Sequence, residues 1–366
     1  MVEILDYRII FYLTTNNKNF GGWFVVESFS RERGPKVSII VPIYNRCEFV
    51  AQLMSSIKSQ TFTDYELIIV DDGSTDGVKE KLDAAAGSID YTYIYQKNRG
   101  HYAARNLALS RTRGRYIAFH DSDDEWPDYH LEEFVEILDE HSDIDWVFGS
   151  IKRIDHKTGG TLAESNYYEK GGLHPFFQLK TVDRGSAKLV KDGNITCISI
   201  MHNVPGSTQC ALIRAKVFKD NYFDESFRTA YDRFFAIKCT KLGFGFAFVD
   251  KVHQIYHVHD GHISLVSGYT PEKLEASAKT MLRGYDQIGE LNLTDDERKN
   301  LSHKIASIYA WQLSISYRKR TMYREELLAM IEAFKIRPAK YLKPVLSSFI
   351  RYSVSIGSGR KGLDSR

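Results

Sequence analysis

From Lys36 onward, apolar residues fall into short runs separated by polar turns and by stretches with helical spacing. Val37-Ser38-Ile39-Ile40-Val41 and Glu66-Leu67-Ile68-Ile69-Val70 are too short for helices and too continuous for half-exposed strands. Each therefore reads as a strand buried on both faces. Between them Phe49, Val50, Leu53, Met54 and Ile57 recur at helical spacing. Residues 91–95 predict a third strand, 103–110 a helix, and 116–120 a fourth strand. Leu131, Phe134, Val135 and Leu138 mark the next helix, and residues 144–150 another strand. This alternation predicts βαβ units and a mostly parallel sheet flanked by helices. Residues 155–265 are less regular. Beyond Thr270 the chain turns helical, with Leu274, Ala278, Met281, Leu282 and Tyr285 on one face and Ile305, Ile308, Tyr309 and Leu313 on another. Ahead of Lys36, residues 7–13 and 22–29 read as strands, closed by the polar linker Arg31 to Pro35. The expected organisation is an N-terminal extension (1–35), an α/β domain (36–265) and a C-terminal helical region with a basic tail (266–366).

Composition narrows the function classes. The 366 residues carry 49 Lys and Arg against 47 Asp and Glu, a formal charge of +2. That balance gives no support for nucleic-acid binding, which needs a strongly basic face. The four cysteines show neither CxxC pairing nor short zinc spacing, so free thiols in a reducing compartment are expected. Two acids precede the first short apolar run, unlike a signal peptide, and no apolar stretch reaches the ~20 residues of a spanning helix. A cytoplasmic location is expected. The exception to the balanced charge is 335–366, with eight Lys or Arg against Asp364 alone. Its segment 341–356 mixes apolar and basic residues. Two readings stay open: peripheral contact with the inner face of a membrane, or a terminal helix packed on the domain with a solvated basic face. Gly357 to Gly362 fits GxGxxG literally, but it follows no strand and opens no helix, so it carries no dinucleotide site.

The chemistry-bearing pattern is acidic. Asp71-Asp72 and the run Asp121-Ser122-Asp123-Asp124-Glu125 each follow a predicted strand. Sheets of this class bind ligands beyond the carboxyl ends of their strands. Clustered carboxylates repel one another unless solvent or a cation compensates them. The Asp-x-Asp-Asp arrangement suits Mg²⁺ or Mn²⁺, which leave coordination positions for water and phosphate oxygens. Alone, an acidic turn of this kind is a weak signal.

A series of ordered motifs supplies context. VSIIVPIYNR, SQTFTDYELIIVDDGSTDG, NRGHYAARNLALS, RGRYIAFHDSDDEW and the following PD resemble the nucleotide-sugar half of family 2 glycosyltransferases, which have the GT-A fold, over about residues 36–150. The resemblance implies an inverting transfer of a sugar from a nucleotide diphosphate donor, with UDP the favoured carrier. It implies that Pro42, Tyr44 and Asn45 follow the first strand, with Tyr44 against the base. Asp72 would accept from the base's imide N–H while Asp71 fixes the loop, and Gly100 and Arg105 would close over the nucleotide. Asp121, Asp123 and Asp124 would share the ribose and metal contacts.

The likeness continues more weakly to about residue 265. In FDESFRTAYDRFFAIKCTKLG, Asp232 takes the position of the base that deprotonates the acceptor. Tyr231 and Phe234 stand where family members often have acids. The backbone at Gly206-Ser207 is expected to line the sugar pocket. His259, in YHVHDGHISL, is expected to reach the metal or the diphosphate, and its pairing with His257 on one strand face also permits zinc. The expected function is thus metal-dependent sugar transfer, with Mn²⁺ or Mg²⁺, to a hydroxyl of a glycan or glycolipid in surface polysaccharide synthesis. Two rivals follow: an inactive binding scaffold of the same fold, with Tyr231 as the sign of decay, and a metal-dependent phosphohydrolase or nucleotidyltransferase.

Overall fold

The computed structural model describes residues 7–16, 19–28, 34–168, 172–202, 204, 207–259 and 270–360. Strands β1 (Tyr7–Asn16) and β2 (Asn19–Ser28) pair as an antiparallel hairpin, matching the two strands expected in the N-terminal extension.

A ten-stranded sheet carries the remaining strands. In chain order these are β3 (Val37–Ile43), β4 (Tyr65–Asp71), β5 (Tyr91–Tyr95), β6 (Tyr116–Phe119), β7 (Trp146–Asp155), β8 (Thr161–Ala163), β9 (Thr181–Arg184), β10 (Ala187–Val190), β11 (Ala211–Arg214) and β12 (Phe246–Val258). Their order across the sheet is β5-β4-β3-β6-β11-β7-β12-β10-β9, with β8 on β7. Strands β5, β4, β3 and β6 run parallel, as do β7 and β12. The short β11 is wedged antiparallel between β6 and β7.

The continuous apolar runs are explained by this layering. Along β3, Ile40 faces one core while Val37, Ile39 and Val41 face the other. Likewise Ile68 and Val70 of β4 part from Leu67 and Ile69. Side chains alternate across a strand, so a strand covered on both faces must be apolar at every position. Helices α1 (Val50–Lys58), α2 (Val78–Ala86) and α4 (His130–Glu140) cover one face. Helices α3 (His101–Leu109), α5 (Ile195–His202) and α6 (Tyr231–Lys241) cover the other.

The C-terminal helices share that second core. Helix α7 (Pro271–Gly289) lies against α6 so closely that a Cβ on Gly284 would come 2.1 Å from the Phe234 ring. Helix α8 (Asp295–Ile308) opens with a capping box. The Thr294 hydroxyl accepts from the Glu297 N–H, and the Glu297 carboxylate accepts from the Thr294 N–H. A π-helical turn at Tyr309–Leu313 leads into α9 (Ser314–Lys319), followed by α10 (Tyr323–Ile336) and α11 (Pro338–Arg360). All four cysteines are free thiols, as their spacing predicts.

Candidate active site

Strand β3 has β4 on one side and β6 on the other, so the chain changes direction across the sheet at its carboxyl end. Such a switch point opens a crevice. A cavity of about 650 Å³ lies there, between the ends of β3, β4 and β6 and the start of α6. Of the residues expected at the nucleotide, Pro42, Tyr44, Asn45, Asp72, Gly100 and Asp121 all line it. Pro42 costs no sheet hydrogen bond toward β6, whose pairing with β3 ends at Ile40–Phe119. Asn45 takes a positive φ of 48°, a conformation Asn tolerates, and ties the β3 and β4 loops together. Its N–H donates to Ser74 Oγ at 2.9 Å, and its Oδ1 accepts from the Thr75 N–H at 2.9 Å. Tyr44 is half exposed at the mouth.

The paired acids after β4 divide their work. Asp71 accepts from the Ser74 N–H at 2.7 Å and from the Tyr93 hydroxyl at 2.5 Å, so it holds the loop. Asp72 is buried, and it accepts from Gln96 Nε2, the Arg99 N–H and the Gly100 N–H at 2.7–2.8 Å. Those bonds occupy only part of a carboxylate's acceptor capacity. Gly100 has a φ of +98°, and a Cβ there would meet Arg228 Nη1 at 2.5 Å. The backbone angle demands glycine, whereas the arginine tip could swing aside.

Arg105 sits elsewhere than the resemblance implies. It does not line the cavity; its side chain has no exposure and lies under the floor. The guanidinium is packed against the rings of Tyr102, Phe119 and Phe223, at 5.1–5.8 Å to their centroids. Nη2 donates to Asp121 Oδ1 and Nη1 to Asp232 Oδ1, both at 2.8 Å. One cation thus bridges the acidic cluster and the expected base. Burial opposes its charge, yet Asp232 and Asp121 together raise its pKa above the usual value. Gln209, just before β11, donates to the second Asp121 oxygen at 2.7 Å.

Asp232 opens α6 and faces the cavity from the other side. Thr208 Oγ1 donates to Oδ1 at 2.7 Å and the Tyr102 hydroxyl to Oδ2 at 2.8 Å. Burial would raise its pKa, but the Arg105 charge and these donors hold it below the usual carboxylate value. The Tyr102 hydroxyl also accepts from the Tyr231 N–H at 2.7 Å, which fixes the first turn of α6. Ala230, immediately ahead, has a φ of 67°, a strained value for alanine. Next to Tyr102, the His101 imidazole lines the same cavity; burial pushes its pKa down to about 4, so it is neutral at pH 7.

The remaining acids separate. Asp123 lines the cavity, with Oδ2 at 3.1 Å from His259 Nε2 and 3.4 Å from Arg46 Nε. Asp124 turns inward instead, where Gln254 Nε2 donates to it at 2.5 Å and the His257 N–H at 3.2 Å. Burial, with the charges of Asp123 and Asp121, pushes its carboxyl well above the usual range. His257 is held by other partners. Its Nε2 lies 2.5 Å from Glu125 Oε1 and its Nδ1 3.3 Å from His156 Nδ1. Among the described residues no set of three His, Cys, Asp or Glu is disposed to hold a metal. Asp123 brings a carboxylate to the cavity, and the His259 imidazole nitrogen lies directly behind it on Oδ2. That pair suits Mn²⁺ when water and phosphate oxygens complete its shell. Gly206, expected at the sugar pocket, lies outside the described residues.

Residues 38–221 match the family model described as Glycosyl transferase family 2. The chain belongs to this family. A family relative from Rickettsia bellii, described as an uncharacterized glycosyltransferase, is 31% identical over 206 residues. That match covers 55% of this chain and 26% of the relative, so the chain spans about a quarter of that protein's length. The putative teichuronic acid biosynthesis glycosyltransferase TuaG of Bacillus subtilis is 41% identical over 114 residues, 30% of this chain and 44% of TuaG. Among solved structures, S. aureus TarS 1–349 in complex with UDP-GlcNAc superimposes with a TM-score of 0.60 at 20% identity, covering 89% of this chain and 92% of that one. The mannosyltransferase PcManGT from Pyrobaculum calidifontis, in complex with GDP-Man and Mn²⁺, gives 0.54 at 15% identity, covering 87% and 86%. These likenesses establish the glycosyltransferase fold, a mixed sheet with a mostly parallel core.

Packing in this structure explains the two departures at α6. Phe234, in place of an acid, is buried against Gly284 and Tyr285 of α7. Tyr231 packs on Phe227 at 5.0 Å. Both positions serve the core shared with the C-terminal helices. Sequence reasoning missed Tyr102, Thr208, Gln209 and Arg46. Only Tyr102 left a signal, standing one helical turn from Arg105 on the same face of α3.

Proposed function

We propose that this chain transfers a sugar from a nucleotide diphosphate donor, UDP-linked, to a hydroxyl of a glycan or glycolipid acceptor, with inversion at the anomeric carbon. One observation carries the reading: Asp72, Asp121 and Asp123 on one wall and Asp232 on the other line a single cavity of about 650 Å³. Tyr44 would stack on the base and Asp72 accept from its N–H. Asp121 and Asp123 would face the ribose and diphosphate. The nucleotide sugars bound by TarS and PcManGT support this donor class, and the likeness to TuaG, a putative teichuronic acid biosynthesis glycosyltransferase, supports a surface-polysaccharide acceptor.

Asp232 is the proton acceptor. Arg105 keeps it ionised at rest, and Oδ2, with Tyr102 as partner, retains acceptor capacity toward the cavity. The acceptor O–H proton passes to this carboxylate as the oxygen bonds to the anomeric carbon, while the carbon–oxygen bond to the diphosphate breaks on the opposite face. Asp123 and His259 would hold the divalent cation, which when bound neutralises charge on the leaving diphosphate.

Calorimetric titration of UDP with Mn²⁺, then with EDTA, tests the donor site. Binding that needs the metal and is lost in Asp123→Ala is expected. Absence of UDP binding in both conditions would overturn the choice of carrier. Asp232→Asn should retain UDP affinity within about threefold while kcat falls by about 10²-fold or more, the usual scale for a lost general base. An Asp232→Asn protein with undiminished kcat removes that residue from the chemistry.

A further inference from the structure

Helix α11 packs on its neighbours in an inverted manner. The side turned to α10 and the π-helical turn carries Tyr341, Val345 and Ser348, and it is held by Arg351, whose guanidinium lies 2.5 Å from the buried Glu326 carboxylate. Ser348 Oγ also donates to Glu326 at 3.2 Å. The outward side carries the large apolar residues. Leu342, Leu346, Phe349, Ile350 and Val354 are exposed by 49%, 53%, 56%, 61% and 65%. They recur at steps of three and four, which places them on one stripe about four turns long. A water-facing helix normally turns such a stripe inward, and contiguous apolar patches of this kind mark interaction surfaces.

Charge identifies what covers it. Lys340 and Lys343 are exposed on the same helix, and no acid occurs between Glu332 and Asp364. Lys335 and Arg337 precede the helix, Lys335 in a pair with Glu332. Beside Pro344 and Ser347, across a surface cavity of about 220 Å³, stands the half-exposed Trp311. Tryptophan suits a boundary that is apolar on one side and wet on the other. No helix among the described residues is long and apolar enough to cross a membrane. An amphipathic helix with lysines along its apolar stripe lies instead in the plane of a bilayer surface.

We propose that α11 docks the protein on an anionic lipid surface, with Leu342, Leu346, Phe349, Ile350 and Val354 entering the headgroup–acyl boundary and Lys340 and Lys343 meeting lipid phosphates. The helix fills this role independently of the sugar-transfer reading.

Flotation of the full chain with unilamellar vesicles tests it. Partitioning onto phosphatidylglycerol-containing vesicles should exceed that onto pure phosphatidylcholine by at least about tenfold and fall as salt rises. Phe349→Glu with Ile350→Glu should lower it at least about tenfold, through the lost apolar contact. Lys340→Glu with Lys343→Glu, which leaves the packed side of the helix intact, should abolish the preference for anionic lipid. An unchanged melting temperature shows that the variants are folded. If the unaltered chain ignores both vesicle types, or both variants bind as it does, the proposal fails. A dimer by light scattering that Phe349→Glu dissociates, with no vesicle binding, assigns the stripe to a second copy and equally overturns the proposal.

Discussion

Arg105 shows how much one side chain can organise. A guanidinium offers a rigid fork of donors, and here two of its prongs reach carboxylates on opposite walls of the cleft. Lysine keeps the charge but lacks the fork. Arg105→Lys is therefore expected to lower kcat by about 10- to 100-fold, the scale of a misplaced catalytic group. The acid limb of the kcat/KM profile should also move to higher pH, because one ammonium cannot sit against both carboxylates and the charge that depresses the Asp232 pKa is weakened there. A pH–rate profile that stays in place would reduce Arg105 to a packing residue. At this scale the carboxylates were legible, since a run such as Asp121 to Glu125 has few uses beyond a wet turn or a cation. The role of Arg105 was not, because sequence gives its helix face without saying what lies opposite. The same gap made Tyr231 and Phe234 look like losses. Phe234 gains contact with α7, from residues about fifty positions away, and Tyr231 gains its packing on Phe227 and Tyr102.

Among the elements, the parallel strands and their covering helices announced themselves through continuous apolar runs and 3.6-residue spacing. The wedge β11 did not. It spans four residues, and its placement depends on pairing with β6 and β7 rather than on local pattern. The contact of α6 with α7 makes a test at this level. A Cβ at position 284 would lie 2.1–2.5 Å from three atoms of the buried Phe234 ring. Alanine gains about 1 kcal/mol of helix propensity over glycine. Overpacking costs roughly 1–3 kcal/mol and a fully buried ring has little room to yield, so the clash is expected to win. Gly284→Ala should lower the melting temperature, and adding Phe234→Leu should recover most of the loss. Additive effects of the two substitutions would mean that this contact does not set the helix spacing.

For the molecule as a whole, three histidines tie stability to pH. His120, His130 and His253 are fully buried around Trp126 and Phe134. Burial pushes the His120 pKa down to about 4 and lowers those of His130 and His253 as well. The unfolded chain therefore binds protons that the folded chain refuses. Their contribution is complete above about pH 6.5 and is lost as pH falls toward 4, at up to about 1.4 kcal/mol per unit per histidine. Urea denaturation at pH 7.5 and 5 should show the loss, and His130→Phe should flatten it. A slope untouched by that substitution would place the acid sensitivity elsewhere.

The wedged strand has one more consequence. Because β11 hydrogen-bonds to β6 on one side and β7 on the other, the residues just ahead of it, Thr208 and Gln209, are carried to their carboxylates by the lattice of the sheet. The width of the cleft is set in units of strand spacing, about 4.8 Å. The floor of the site is thus cast by the sheet. New acceptors are then to be accommodated by recasting the rim, in the irregular segment between β7 and α6, while the floor stays as it was poured.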